Sequence, residues 1–192
     1  MARESLVTDI PINLPNSLTV FRILLVPVFV GLLLYHFYDF ALATLLIAAL
    51  TDALDGAIAR RTNQRTRLGE YLDPLADKLL LVSAIVTLSV LDFIPVWTVI
   101  LVVSRDAILL MGTVLANLTD TAIDIAPTWL GKRTTLAQIC YVVVIILFAT
   151  GRVSAQVVTP FLYIMVVFTI GSGVHYLFRG IQRLNTANGN KA

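Results

Sequence analysis

The sequence predicts an all-α membrane protein, built as a bundle of six transmembrane helices. Hydrophobic residues make up 58% of the 192 residues and charged residues only 14%, whereas a soluble domain has about half and about a quarter. The mean hydropathy is +0.87. Six apolar stretches have close to the ~20 residues that a helix needs to cross a bilayer. One internal core cannot bury this much apolar surface, so we expect lipid to surround the chain.

Polar or helix-breaking segments separate the six stretches. NLPN precedes the first stretch, and HFYD, ARRTNQRTR, LDFIP, TDTAID and GRVSAQ follow the first five in order. The predicted spans are Leu18–Tyr38, Phe40–Ala59, Pro74–Leu91, Pro95–Asn117, Thr134–Thr150 and Val157–Phe178. We therefore expect an N-terminal juxtamembrane segment (residues 1–17), a six-helix domain (residues 18–183) and a flexible polar tail (residues 184–192).

The basic residues indicate the orientation in the membrane. Six crossings bring the end of the chain back to the side on which it began. Of the 14 lysines and arginines, all except Arg105 and Arg152 fall on the face that holds both chain ends. Lysine and arginine concentrate on the cytoplasmic side of membrane proteins. We therefore expect the protein to lie in the cell's inner membrane, with both chain ends on the cytoplasmic side.

The charge is concentrated in one segment, LTDALDGAIARRTNQRTRLGEYLDPLADKLLL, residues Leu50–Leu81. If the first part is helical, one face carries residues at i, i+3, i+4 and i+7, which are Asp52, Asp55, Gly56 and Ala59. After a polar loop, Gly69, Asp73 and Asp77 recur at every fourth residue. Two acidic faces can therefore meet across one basic loop, in a cavity that opens to the cytoplasm.

Carboxylates grouped at a membrane interface need positive charge nearby. An aspartate at membrane depth costs about 2.5–3.5 kcal/mol on insertion scales, and four together also repel one another. Two divalent cations would offset this charge, and oxygen ligands favour Mg²⁺, with Mn²⁺ or Ca²⁺ as alternatives. Paired metals are a known device for displacement at phosphorus, and Arg60 could bind a phosphate oxygen. The segment therefore indicates a metal–phosphate site.

A purely structural interpretation accounts for single residues of this segment. Asp73 and Pro74 fit a helix start, as the N-cap and the first-turn residue. The earlier aspartates could pair with Arg60 or Arg61. This interpretation does not explain why two acidic pairs point at one basic loop.

The complete pattern resembles the signature of the CDP-alcohol phosphatidyltransferases, D-x2-D-G-x2-A-R-x8-G-x3-D-x3-D. All eight fixed positions are met at the required spacing, by Asp52, Asp55, Gly56, Ala59, Arg60, Gly69, Asp73 and Asp77. The chain length and the six predicted helices also resemble the core of this family. The resemblance implies an enzyme of phospholipid biosynthesis that uses CDP-diacylglycerol and two Mg²⁺ ions, with Mn²⁺ as an alternative.

The resemblance also implies a role for each residue of the pattern. Asp52 and Asp73 would bridge both metal ions, whereas Asp55 and Asp77 would each complete one metal site. Asp77 would in addition act as the general base toward the acceptor hydroxyl. The CDP-diacylglycerol site would be lined by small, polar and cationic residues of the segment and by the PNSL stretch: Gly56, Ala59, Arg60, Thr66, Gly69, Pro15, Asn16, Ser17 and Leu18.

Three cationic residues outside the segment are candidates for an acceptor-phosphate pocket. Arg105 lies within a predicted membrane helix, where a charged residue is a functional candidate by default. Its alternative role is an ion pair with Asp106 or with an acid on another helix. Lys132 and Arg133 could hold an anion at the start of the fifth helix, or they could anchor that helix at the interface.

The acceptor alcohol stays open between two phosphate-bearing molecules, and inositol phosphate and serine are less favoured alternatives. The strings NLPNSLTVFRILLVP, TDALDGAIARR, LGEYLDPLADK and GKRTTLAQ are most similar to family members that use glycerol 3-phosphate. The resemblance then implies release of CMP, formation of phosphatidylglycerol phosphate, and a homodimer. However, Ser104-Arg105-Asp106 replaces the usual Ala-Arg-Glu of that subgroup and resembles members that use phosphatidylglycerol.

Two other classes of protein also carry aspartates in membrane helices. Intramembrane prenyltransferases hold a diphosphate through Asp-rich motifs and Mg²⁺, but they have two separate motifs in a longer bundle. A cation transporter would place carboxylates near the middle of the membrane. Here all four aspartates stand beside one short loop, so both alternatives fit the sequence less well.

Overall fold

The structure is a computed structural model that describes the backbone of residues 14–62, 67–118 and 129–189, and the side chains of residues 19–51, 76, 78–111 and 129–179. These residues form six helices: α1 (Leu14–Leu34), α2 (Tyr38–Thr62), α3 (Arg67–Val90), α4 (Val96–Leu118), α5 (Trp129–Ala149) and α6 (Ala155–Gly189). The predicted all-α class and the six predicted helices are confirmed.

Helices extend beyond the spans predicted from hydropathy, most clearly α3, α5 and α6. α3 begins at Arg67 rather than at Pro74, and α5 begins at Trp129 rather than at Thr134. α6 continues to Gly189, so helical backbone enters the segment that we expected to be a tail. The physical reason is common to all three. An apolar window ends where polar residues begin, whereas backbone hydrogen bonding continues through any residue that tolerates helical dihedral angles.

The ends of α1, α3 and α5 share one kind of turn. Each turn contains a residue in the left-handed region: His36 (φ 61°), Asp92 (φ 62°) and Gly151 (φ 75°). At the first turn, the N–H of Phe37 donates to the carbonyl of Leu32 at 2.8 Å, and the N–H of His36 donates to that of Leu33 at 3.0 Å. This is the Schellman pattern, and the other two turns repeat it. The chain therefore reverses within a few residues at each of these ends.

The chain divides into two compact units, residues 1–87 and residues 88–192. In the first unit α1 packs against α2. Phe29 and Leu33 on α1 are buried, as are Ala41, Leu45 and Ala48 on α2. These α2 residues recur at every third or fourth position, so one face of α2 forms part of the core of this unit.

In the second unit α4 and α5 both pack against α6. Its apolar core includes Val102 on α4, Tyr141 and Ile145 on α5, and Met165 on α6. The same core contains several buried polar side chains: Thr98, Arg105, Thr134, Gln138, Thr169 and Ser172. This unit therefore surrounds polar groups with protein rather than exposing them.

The outward-facing side chains are often large and apolar. Leu24, Val90, Ile100, Leu110 and Val167 are all strongly exposed. By length and composition, Trp129–Ala149 and Ala155–Arg179 are long and apolar enough to cross a membrane, and the other apolar stretches found among the described residues, 19–34, 38–51 and 78–90, are shorter. Apolar exteriors around buried polar groups are the arrangement expected in lipid.

Candidate active site

The first acidic pair lies in the C-terminal half of α2. The helix is continuous to Thr62, so Asp52 and Asp55 occupy helical positions one turn apart. Helical spacing extends the buried face of Ala41, Leu45 and Ala48 through these two positions. The backbone therefore places both aspartates on the face of α2 that is buried nearer the start of the helix.

The second acidic pair lies inside α3 rather than at its start. Asp73 and Asp77 follow Arg67, the first residue of the helix, by six and ten residues. Asp73 therefore cannot act as the N-cap of α3, and the interpretation of this residue as a helix-start signal is wrong. Position 77 lies one turn before Leu81, which is buried. Both α3 positions thus continue the buried face of this helix.

All of the predicted donor-site side chains lie outside the described residues. These are the four aspartates together with Pro15, Asn16, Ser17, Leu18, Gly56, Ala59, Arg60, Thr66 and Gly69. Among the side chains that the structure does describe, no group of three or more His, Cys, Asp or Glu residues could hold a metal ion. The predicted metal site therefore rests on helix positions and on the oxygen-only chemistry of its donors.

Arg105 is placed on α4, inside the second unit. Its side chain is only 5% exposed. Nη1 donates to Oδ1 of Asp106 at 2.8 Å, in an ion pair between consecutive residues. Nε and Nη2 both donate to Oγ of Ser172 on α6, at 3.3 Å and 2.8 Å. The ion pair with Asp106 is thus present, and it engages one of the N–H donors of the guanidinium.

Lys132 and Arg133 lie in the first turns of α5, because this helix begins at Trp129. Both side chains are exposed, and the Arg133 guanidinium lies 6.0 Å from the centre of the Trp129 ring. Cations near a helix N-terminus oppose the helix dipole. Their position therefore does not stabilise α5 by itself, although it suits an anion held between the side chains and the free N–H groups.

Ser172 and Arg22 are among the buried polar residues that the sequence analysis did not single out. Ser172 has no charge and no motif spacing, so only the contact between α4 and α6 reveals it. Arg22 on α1 was interpreted as a topology signal, yet it is only 1% exposed. In the structure, Arg22 precedes the buried Phe29 by seven residues and therefore shares its face.

Arg22 stands at the depth of the first acidic pair. Arg22 and Asp52 lie fourteen and sixteen residues from the turn at His36. At 1.5 Å per residue, both are about 21–24 Å from that turn along their helices. Since α1 packs against α2, a buried guanidinium occupies the level of the acidic positions.

A comparison with known protein families supports the pattern on α2 and α3. Residues 12–171 match the model of the CDP-alcohol phosphatidyltransferase family. This chain belongs to the CDP-alcohol phosphatidyltransferases. It is therefore a phosphatidyltransferase, and the match includes helices from both units.

Relatives of this CDP-alcohol phosphatidyltransferase include proteins with two kinds of name. The CDP-diacylglycerol–glycerol-3-phosphate 3-phosphatidyltransferase of Bacillus subtilis is 37% identical over 92% of this chain and 99% of its own length. The protein of the same name from Blochmanniella floridana is 38% identical over 66% of this chain and 69% of its own length. Human cardiolipin synthase (CMP-forming) is 45% identical over 52% of this chain and 34% of its own length.

Proposed function

We propose that this chain is a phosphatidylglycerophosphate synthase. It would transfer the phosphatidyl group from CDP-diacylglycerol to glycerol 3-phosphate, releasing CMP and phosphatidylglycerol phosphate. The observation that carries this proposal is the similarity to the Bacillus subtilis enzyme of that name, which extends over 92% of this chain and 99% of the relative. The complete aspartate pattern on α2 and α3 supports it.

The acceptor hydroxyl would attack the lipid-linked phosphorus of CDP-diacylglycerol. A new P–O bond forms to the acceptor, and the P–O bond to CMP breaks, so that CMP leaves with the bonding electrons. The Asp77 carboxylate would take the proton of the attacking hydroxyl. Arg60 would hold a phosphate oxygen of the donor, and Gly56, Ala59, Gly69, Thr66 and the PNSL stretch would line the nucleotide site.

The four aspartates suit hard divalent cations, because their donors are carboxylate oxygens on helix faces that continue a buried stripe. We propose that Asp52 and Asp73 bind both of two Mg²⁺ ions, and that Asp55 and Asp77 each bind one. When bound, the two ions would neutralise negative charge on the diphosphate. Mn²⁺ presents the same ligand preference and is the alternative.

The acceptor phosphate would bind to the cations of the second unit. Arg105 is buried and holds a fixed orientation, and Lys132 and Arg133 are exposed near the N-terminus of α5. A phosphate ester would accept hydrogen bonds from the guanidinium, and it would gain from the positive end of the α5 dipole.

We further propose that all six helices span the inner membrane as one domain (residues 18–183), with both chain ends and the active-site cavity on the cytoplasmic side. The exposed apolar side chains on α1, α3, α4 and α6 support contact with lipid. The distribution of basic residues supports the orientation. A homodimer is the assembly that the family resemblance implies.

Cardiolipin synthase is the second candidate function. Ser104-Arg105-Asp106 resembles that subgroup, and the human cardiolipin synthase shares 45% identity over 101 residues. Its acceptor, phosphatidylglycerol, would bring its phosphate on a second lipid rather than on a soluble molecule.

An assay with the two acceptors separates these functions. Purified protein in mixed micelles receives CDP-diacylglycerol and Mg²⁺ with either glycerol 3-phosphate or phosphatidylglycerol, and CMP release and the lipid product are measured. Phosphatidylglycerol phosphate formed only with glycerol 3-phosphate is the expected result. Cardiolipin formed from phosphatidylglycerol would replace the proposal with the second candidate. No CMP release with either acceptor would contradict both.

A further inference from the structure

Ser172 on α6 makes a two-point contact with the Arg105 guanidinium on α4. Its Oγ accepts from Nη2 at 2.8 Å and from Nε at 3.3 Å. Both side chains are buried, and Ser172 is fully enclosed. The α6 backbone is also close, because a Cβ added at Gly173 would lie 3.8 Å from the Cγ of Arg105. The serine therefore fixes the plane of the guanidinium from a neighbouring helix.

The second fixed point of the guanidinium is Asp106, whose Oδ1 accepts from Nη1 at 2.8 Å. A guanidinium carries five N–H donors. Three of them are engaged by Ser172 and Asp106, and no residue in the described part of the chain engages the other two. A bidentate contact with a phosphate requires two N–H groups, so the arginine keeps the donors that such a contact needs.

The two partners of Arg105 differ in charge. Asp106 cancels the positive charge of the guanidinium locally, and this weakens its attraction for an anion. Ser172 is neutral, so it can orient the group without reducing its charge. A hydroxyl clamp is therefore suited to an arginine that must bind a phosphate, whereas a second carboxylate in the same place would oppose binding.

We infer that Ser172 is a positioning residue of the acceptor site. It holds the Arg105 guanidinium so that the two remaining N–H donors face the phosphate of the acceptor alcohol. The inference rests on the proposed role of Arg105 in binding that phosphate. The competing explanation is that Ser172 only joins α4 to α6, which would stabilise the fold without affecting one substrate more than the other.

Thr169 provides a matched control on the same helix. It is fully buried, as Ser172 is. Its Oγ1 donates to the carbonyl of Met165 at 2.7 Å and accepts from Nε2 of Gln138 on α5 at 3.3 Å. Thr169 thus joins α6 to a neighbouring helix by the same kind of bond but does not contact Arg105.

The test compares Ser172→Ala, Ser172→Thr and Thr169→Val in the acceptor assay. Ser172→Ala should raise the KM for glycerol 3-phosphate about tenfold, because a hydrogen bond to a charged group is lost. The KM for CDP-diacylglycerol should stay within about twofold. Ser172→Thr retains the hydroxyl and should recover most of the loss, and Thr169→Val should leave the ratio of the two KM values unchanged. If Ser172→Ala does not fold, Ser172→Cys replaces it, since sulfur keeps the volume but accepts weakly.

Each other outcome overturns a different statement. Equal changes in both KM values, or the same pattern in Thr169→Val, would show that Ser172 acts only in packing. An unchanged acceptor KM in Ser172→Ala, beside a raised one in Arg105→Ala, would reject the inference and leave the proposed function intact. If the wild type uses phosphatidylglycerol instead, the proposed function fails. The inference about Ser172 is then tested by whether Ser172→Ala raises the KM for phosphatidylglycerol.

Discussion

The two compact units differ in the charged residues that their helices group together. In residues 1–87 the motif places four aspartates on α2 and α3. In residues 88–192 the buried charged pair is Arg105 with Asp106, and two further cations stand at the start of α5. Buried arginines occur in both units, since Arg22 on α1 is also enclosed. Arg105 has a neutral partner, Ser172, across the interface of α4 and α6.

Under the proposed function, this difference corresponds to a division of labour between donor and acceptor. Acidic side chains with bound cations suit a diphosphate and the proton of an attacking hydroxyl, whereas arginine and lysine suit the phosphate of a second substrate. Changes in the first unit should therefore affect donor binding and turnover. Changes in the second unit should affect the KM for the acceptor.

The largest effect is expected at the proposed general base. Asp77→Asn should lower kcat by about 10³-fold, because a general base contributes about 10²–10⁴, while CDP-diacylglycerol binding changes only a few-fold. Donor binding to the variant and single-turnover CMP release would be measured. Asp39→Asn, at the other end of α2, serves as the control and should retain full activity. A normal kcat in Asp77→Asn would remove Asp77 from this role.

The next effect is expected at Arg105. Arg105→Ala should raise the KM for glycerol 3-phosphate about 10–100-fold, since hydrogen bonds to a charged group are lost. The donor KM should change little. The KM of Arg105→Lys for glycerol 3-phosphate should lie between the values of the wild type and Arg105→Ala. Lysine keeps the charge but cannot reproduce the planar fork that contacts Ser172. An equal increase in both KM values would break the proposed division between the units.

A smaller effect is expected at the start of α5. Lys132→Ala combined with Arg133→Ala should raise the acceptor KM about two- to fivefold at low salt, because exposed charges contribute little. The increase should shrink at 0.5 M salt, where screening is strong. Steady-state kinetics at two ionic strengths would measure the acceptor KM. Arg152→Ala serves as the control, because Arg152 is also exposed. A salt-independent effect would show that the two substitutions act through the structure of α5 rather than through the lost positive charge.

The smallest effect is expected at the turn after α3. Asp92 has φ 62°, a conformation that β-branched residues adopt only with strain. Asp92→Val should lower the free energy of unfolding by about 1–2 kcal/mol, whereas Asp92→Gly should be close to neutral. Thermal melts and both KM values would be recorded. A change in either KM would show that this turn is coupled to substrate binding, contrary to the expectation.

The helix count and family were predictable from the sequence because both depend on local patterns. Hydropathy marks an apolar stretch, and the eight residues of the motif have fixed spacing, so the family could be identified without coordinates. The roles of Asp52 and Asp77 stay predictions. Helix ends were less predictable, as Arg67 and Trp129 show. Their helices continue into polar sequence, where hydropathy carries no information about the backbone.

The partners of Arg105 were only half predictable. Asp106 is the next residue, and the ion pair was an explicit alternative. Ser172 follows Arg105 by 67 residues, and a serine in an apolar helix has no distinctive local pattern. Arg22 shows the same limit, since a cation near the start of a helix satisfies the positive-inside pattern whether it is exposed or enclosed.

The burial of Arg22 makes α1 an integral part of the enzyme rather than a tether. A guanidinium enclosed by protein at the depth of the acidic positions requires the surrounding helices to be built around it. Replacing α1 by an unrelated hydrophobic helix would remove this enclosed guanidinium. We expect such a chimera to lose activity even where it still inserts into a bilayer.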